Sequence, residues 1–218
     1  MKRPPLDGVS AVVFDFDGTL AELNIDFPAI YLRIFELADR FGVDRSRITE
    51  SYLIEQIDQM TRQLADGASA EFYAAATKLV VDEEVTSAKS ASLFAGTRNL
   101  LTSLRSRGVK TGLVTRNCEA AVKIVFPDVE AMVDAFVPRE RTGRVKPDPM
   151  HLERTLSLLS VTADRAAMVG DHPIDIESAL KSGMVPVGVT TGKIGADQLT
   201  AAGAVLVLDS AEELMDYL

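Results

Sequence analysis

The sequence predicts an α/β fold in which a parallel sheet, covered by helices on both faces, is interrupted once by an all-helical block. Three observations predict it. From residue 94 to the end, short apolar β-branched runs alternate with amphipathic stretches. A similar run at 10–16 stands alone near the start. Between 21 and 93 the apolar residues recur at helical spacing, with no strand signal. The chain would then divide into a first core part at 1–20, a helical insertion at 21–93 and a second core part at 94–218.

Residues 10–16, SAVVFDF, read as a buried strand that ends at Asp17-Gly18. In 28–41, Ile30, Ile34, Leu37 and Phe41 fall on one helix face. Leu53, Ile57, Met60 and Leu64 repeat that spacing in a helix over 47–65, which Asp66-Gly67 is expected to break. Ser69 would cap the next helix, at 70–89, which carries Phe72, Ala76 and Leu79 on one side. Thr97 would cap a helix bearing Leu100, Leu101 and Leu104, stopped by Gly108. Residues 109–115 are a strand, 118–126 a helix and 133–137 a short strand. Asp148-Pro149 opens a helix that runs to Leu159. Strands at 166–170, 185–189 and 204–208 alternate with helices at 174–182 and 196–202, which Gly183 and Gly203 terminate. Ser210 and Glu213 match a capping box before a last helix.

Composition narrows the function. The 218 residues carry 23 Lys and Arg against 32 Asp and Glu, a formal net charge of −9, and no basic cluster. That argues against a nucleic-acid partner or an anionic membrane surface. Cys118 is the single cysteine, so no internal disulfide forms, and with two histidines there are too few soft ligands for a structural zinc site. The apolar run after the polar start MKRPPLDG is too short for a signal segment or a membrane span. The expectation is a reduced, cytoplasmic protein that is either a monomer or a dimer.

Ligands on such a sheet bind beyond the carboxyl ends of the strands, and those ends carry the chemistry. The first ends in Asp15-Phe16-Asp17-Gly18-Thr19, where the i, i+2 spacing starts both carboxylates on one side. The strand at 109–115 ends in Thr115, followed by Arg116 and Asn117. The strand at 166–170 ends at Asp171, with Asp175 four residues on, and a loop before a further helix carries Lys146. Each of these alone has an ordinary explanation: a helix cap, a turn, a satisfied hydroxyl, a solvated lysine. Their order and spacing together place four acids, a hydroxyl and an amine at one sheet edge. Clustered carboxylate oxygens suit Mg²⁺, and a metal, a Lys and a hydroxyl around a carboxylate form a phosphoryl-transfer arrangement.

At this point the sequence resembles the haloacid dehalogenase superfamily of phosphohydrolases. The motifs that carry the resemblance are Asp15-Phe-Asp17-Gly-Thr19-Leu20, Leu113-Val-Thr115-Arg-Asn117, Val145-Lys146-Pro147-Asp148-Pro149 and Gly170-Asp171-His-Pro-Ile-Asp175. Val189-Thr-Thr-Gly192 and the run to Asp209 extend it over the whole chain. The resemblance implies a Rossmann-like parallel sheet core with the helical cap at 21–93, the layout of phosphoglycolate phosphatase-like enzymes.

It also implies roles. Asp15 would be the nucleophile that forms an aspartyl-phosphate, and Asp17 the acid and then base. Thr115 would bind the phosphoryl oxygens, with Gly18, Thr19, Arg116 and Asn117 lining the substrate. Lys146 would neutralise charge. Mg²⁺ would be held by Asp15, the backbone carbonyl of Asp17 and Asp171, with Asp175 acting through water or Lys146. An acid at Asp17 separates alcohol-leaving phosphoryl transfer from dehalogenation. The implied activity is Mg²⁺-dependent hydrolysis of a small phosphorylated metabolite, phosphoglycolate or a sugar phosphate. A phosphomutase of the β-phosphoglucomutase type is the alternative within this chemistry, and a non-catalytic phosphoacceptor or interaction protein the alternative outside it. Two departures stand out. Ala21-Glu22-Leu23-Asn24-Ile25-Asp26-Phe27 stands where many relatives continue the first motif with Asp-Ser, at the hinge into the cap, and His172-Pro173 sits where small hydroxyl residues are common. The cap, with Arg33, Arg62 and Lys78 as its polar candidates, would select substrate by closing over the core.

Overall fold

The computed structural model of the chain describes residues 6–22 and 25–218. Its first half runs β1 (Ala11–Phe14), β2 (Ala21–Glu22), α1 (Phe27–Arg40), α2 (Leu53–Thr61), α3 (Asp66–Ala88), β3 (Ser92–Leu93) and α4 (Thr97–Ser106). There follow β4 (Lys110–Val114), α5 (Glu119–Val125), α6 (Val129–Met132), β5 (Ala135–Val137) and α7 (Met150–Leu159). The last elements are β6 (Ala166–Gly170), α8 (Pro173–Ser182), β7 (Val185–Val189), α9 (Ala196–Ala202) and β8 (Leu206–Leu208).

Six strands form one sheet in the order β5-β4-β1-β6-β7-β8, and every pairing in it is parallel. β1 is internal because its residues are apolar on both sides. Val12 and Phe14 pack with Leu100, Leu101 and Leu104 of α4. Ala11 and Val13 pack with Leu152 and Leu156 of α7 and Ala179 of α8. All four β1 side chains are fully buried. A strand with no solvated face must have helices on both, and each large apolar side chain so buried contributes roughly 1.5–3 kcal/mol. The chain reaches β4 on one side of β1 and β6 on the other, so the topological switch point lies at the end of β1.

The chain parts into two compact units, Met1–Leu23 with Ala88–Leu218, and Asn24–Ser87. The second is helical. Asp26 caps α1 by accepting the Ala29 N–H at 3.0 Å, and Pro28 sits in the first turn. Its core joins Ile30 and Ile34 of α1, Ile57 and Met60 of α2, and Phe72, Ala76 and Val80 of α3. Among the described residues no helix is long and apolar enough to cross a membrane.

Several boundaries differ from the sequence expectation. The helix expected over 47–65 starts only at Leu53. The Gln59 carboxamide explains this, since its oxygen accepts the N–H of Thr49 at 2.9 Å and of Glu50 at 3.2 Å, and its nitrogen donates to the Arg47 carbonyl at 3.1 Å. That side chain satisfies the loop backbone, which then has no need of a helix. Asp66-Gly67 begins α3 instead of breaking a helix, and Ser69 lies in its first turn with its hydroxyl on the Asp66 carbonyl at 2.7 Å. Helical glycine costs about 1 kcal/mol, less than the packing of Phe72 and Val80 contributes.

Strand pairing also occurs within the range read as purely helical. β2 and β3 pair antiparallel, Ala21 with Leu93 and Glu22 with Ser92; two residues each are too few to show a period. Thr97 does not cap α4. Gly96 takes that position, and the Thr97 hydroxyl donates to the Leu20 carbonyl at 2.7 Å. The helix expected from Asp148 starts at Met150, whose N–H the Asp148 carboxylate accepts at 3.0 Å. The strand expected over 204–208 is confined to Leu206–Leu208. The last segment, Ala211–Asp216, is a 3₁₀ helix, and Glu213 accepts the N–H of Asp209, not that of Ser210. Leu23 and Asn24 of the hinge lie outside the described residues.

Candidate active site

Asp15 is the first residue after β1, and its N–H donates to the Val169 carbonyl of β6 at 2.9 Å. The sheet ladder thus holds the backbone one residue past the strand. Asp15 continues the parity of Ala11 and Val13, the side of β1 that faces α7 and α8, and its partners come from there. The Lys146 ammonium, from the loop before α7, is 2.5 Å from Asp15 Oδ1 and 2.6 Å from Asp175 Oδ1 of α8. The Lys146 side chain is only 1% exposed. The second Asp175 oxygen accepts the His172 N–H at 3.2 Å, closing a capping box in which His172 Nδ1 accepts the Ile174 N–H.

Asp171 follows β6 and completes the acidic group. One carboxylate oxygen each from Asp15, Asp171 and Asp175 lie within 4.8 Å of one another. Glycines make the space for Asp171. A Cβ at Gly18 would come within 2.5 Å of its Oδ2, and one at Gly192 within 1.8 Å. Gly18 also has φ +84°, which disfavours a side chain by itself. Thr19 lies beside it, its hydroxyl donating to Asp171 Oδ1 at 3.4 Å.

Asp17 is placed differently. The i, i+2 argument expects it on the side of Asp15, but the strand ends at Phe14 and strand parity ends with it. The Asp17 carboxylate instead accepts the Thr115 hydroxyl at 3.1 Å and the Asn117 amide at 3.2 Å. It is not among the carboxylates gathered within 4.8 Å. Thr115 is held as Asp15 is, by its N–H on the Val137 carbonyl of β5 at 3.4 Å.

Arg116 is turned toward the protein. Its guanidinium donates to the Lys146 carbonyl, and its own carbonyl accepts from Arg139 at 2.6 Å. Sequence reasoning passed over His151. The Lys146 N–H donates to its Nδ1 at 3.3 Å, and its Nε2 meets the Val137 carbonyl at 2.9 Å. An accepting Nδ1 puts the proton on Nε2, so the ring is neutral. Burial holds its pKa down to about 4. A histidine between Met150 and Leu152 on an otherwise apolar helix face carries no sequence signal of this.

Burial and mutual repulsion set the electrostatics of this acidic group. Burial pushes the Asp15 carboxyl up to about 6, with Lys146 drawing it down and Asp175 pushing it up. Burial pushes Asp171 up to about 8, and Asp15 and Asp175 add to it. Burial pulls Lys146 down, but the two carboxylates outweigh it and hold the ammonium protonated. Fully ionised, the three carboxylates would outnumber the one ammonium by two charges, in oxygen ligands around a small space. That donor set fits a hard divalent cation. Asp15 and Asp171 would be the better ligands for such an ion, since Asp175 has an oxygen on Lys146 and the other on His172.

Residues 12–189 match the sequence profile of the haloacid dehalogenase-like hydrolases. The chain belongs to that family. A phosphoglycolate phosphatase of Rhodospirillum rubrum is 33% identical over 131 residues, which cover 59% of this chain and 54% of that enzyme. The chain thus aligns with about half the length of that relative. A plasmid phosphoglycolate phosphatase of Cupriavidus necator is 26% identical over 217 residues, 94% of this chain and 91% of its own. Among solved structures, a family IA, variant 3 hydrolase of Entamoeba histolytica matches with a TM-score of 0.67 at 20% identity, covering 96% of this chain and 99% of that one. That likeness is one of fold: the parallel sheet with its helices is the architecture of this hydrolase family.

Proposed function

We propose that this hydrolase is a Mg²⁺-dependent phosphatase of a small phosphorylated metabolite, phosphoglycolate or a sugar phosphate, acting through an aspartyl-phosphate on Asp15. The observation that carries the reading is the division of labour between two carboxylates two residues apart. Asp15 is bound to a buried ammonium, which suits a nucleophile that must stay ionised. Asp17 accepts the Thr115 hydroxyl and the Asn117 amide, donors compatible with a group that must gain and lose a proton.

In the first step an Asp15 oxygen forms a bond to phosphorus while the bond from phosphorus to the alcohol oxygen breaks. Asp17 gives its proton to that departing oxygen. In the second step water attacks the same phosphorus, its proton passes to Asp17, and the bond to Asp15 breaks to release inorganic phosphate. Lys146 stabilises the charge on Asp15 and on the phosphoryl oxygens, and the Thr115 hydroxyl donates to one of those oxygens. Asp15, Asp171 and the Asp17 backbone carbonyl would hold a Mg²⁺ ion, which would supply the remaining positive charge for a reaction whose uncatalysed barrier is among the largest known. Two relatives named phosphoglycolate phosphatases support the substrate class.

The test is a panel of metabolite phosphates and an aryl phosphate assayed with and without Mg²⁺. One metabolite should exceed the aryl ester in kcat/KM, and Asp15→Asn should release no phosphate from either. Uniformly slow turnover of every ester, or persisting activity in Asp15→Asn, would sink the reading.

A further inference from the structure

Asn117 has no assigned task in the two-step scheme, yet it is 2% exposed and tied on every side. Its amide nitrogen lies 3.2 Å from Asp17 Oδ1 and 3.4 Å from Oδ2. Its amide oxygen accepts the Cys118 N–H at 2.8 Å, just before α5. Its backbone N–H donates to the Thr115 hydroxyl at 3.0 Å. The sequence expectation put this residue against substrate. The structure turns its amide to Asp17 and its N–H to Thr115.

We propose that Asn117 is a positioning residue for the Asp17 carboxyl, a tie that keeps this acid aimed at the leaving oxygen once substrate is bound. The inference rests on the phosphatase reading and deepens it. Thr115 has one hydroxyl proton, given to Asp17 at 3.1 Å. A phosphoryl group that takes this proton takes it from Asp17. The Asn117 amide is unaffected by that exchange, because the Cys118 contact fixes its orientation. Its chemistry also suits the task. A protonated carboxyl can accept an N–H on one oxygen while its other oxygen donates to a leaving alkoxide. A Lys or Arg in this place would hold Asp17 ionised and take away its capacity to donate.

The leaving group separates a positioning role from a substrate-binding one. An alkyl ester needs a proton on the departing oxygen, whereas a dinitrophenyl ester does not. kcat/KM reports the steps up to departure of the alcohol, so water attack does not enter. The experiment compares wild type, Asn117→Ala and Asn117→Ser on phosphoglycolate, a hexose phosphate and dinitrophenyl phosphate, with inorganic phosphate as inhibitor. Serine keeps an acceptor for the Cys118 N–H but is too short to reach Asp17, so it guards against loss of fold.

The expected result is a fall of about a hundredfold in kcat/KM for the alkyl ester that wild type prefers, with the aryl ester within about threefold of wild type. Inhibition by phosphate should not change. An equal fall on both ester types, weakened phosphate inhibition or no change on either ester would overturn the inference and leave the phosphatase reading standing. Wild-type turnover of the aryl ester alone would also overturn it, because Asp17 then donates no proton. A wild type that hydrolyses no ester refutes the phosphatase reading itself.

Discussion

An ammonium with 1% exposure between two carboxylates leaves buried charge behind whichever member is removed. Removing Lys146 sets Asp15 and Asp175 against each other with no cation between them. Lys146→Met should therefore lower the unfolding free energy by about 3–5 kcal/mol, read from urea denaturation without metal. Adding Asp175→Asn should restore part of it, and a stability equal to wild type would mean that the carboxylates are already neutral there. His151 makes an independent prediction. Its folded pKa of about 4 lies below its ordinary 6.5, so the unfolded chain binds the proton more readily. The stability it contributes is present above 6.5 and is lost as pH falls through that value toward 4. His151→Gln should flatten the slope of stability against pH in that interval, and an unchanged slope would refute a buried neutral imidazole.

Strands β1, β4 and β6 each end at a candidate site residue, and the register of the sheet sets those ends side by side. Much of this was legible in the sequence, because each chemical residue directly follows an apolar run: Asp15 after AVVF, Thr115 after GLV, Asp171 after AAMVG. Strand order was not, since the pairing of β1 with β4 and β6 joins residues about a hundred or more apart. The helical unit was less legible in detail, because one carboxamide, Gln59, replaces a turn of helix. At the site, the partition of Asp15 and Asp17 between different partners depends on where β1 stops, which periodicity does not resolve. The close approach of two loop glycines to Asp171 is a property of the assembled elements. Gly192→Ala would set a Cβ 1.8 Å from the Asp171 carboxylate and must displace that side chain, the proposed metal ligand. The Mg²⁺ needed for half-maximal activity should rise about 10–100-fold, the range for disturbed metal-ligand support. Unchanged Mg²⁺ dependence would remove Asp171 from the metal site.

Taken as a whole, the metal-free protein stores its excess negative charge as protons. Asp171 titrates near 8 and Asp15 near 6 when folded, against an ordinary 3.8, so the folded state binds more protons than the unfolded one between those values. Their contribution to stability is full below about 4 and is lost as pH rises through 6 and 8, the opposite sign to His151. The window from 6.5 to 8 isolates Asp171, because His151 no longer titrates there. Without metal, the thermal midpoint should fall as pH is raised across this window. A divalent cation at the proposed site would take the place of the protons and bind the ionised carboxylates, so its affinity would rise with pH. Saturating Mg²⁺ should then raise the midpoint more at pH ~8.5 than at pH ~6. Asp171→Asn should be the more stable variant without metal, through loss of a buried carboxylate, and should lose most of the Mg²⁺ shift. Thermal melts of both proteins across pH, with Mg²⁺ and with a chelator, check all of this. Parallel pH profiles with and without the ion would mean that these carboxylates do not bind it.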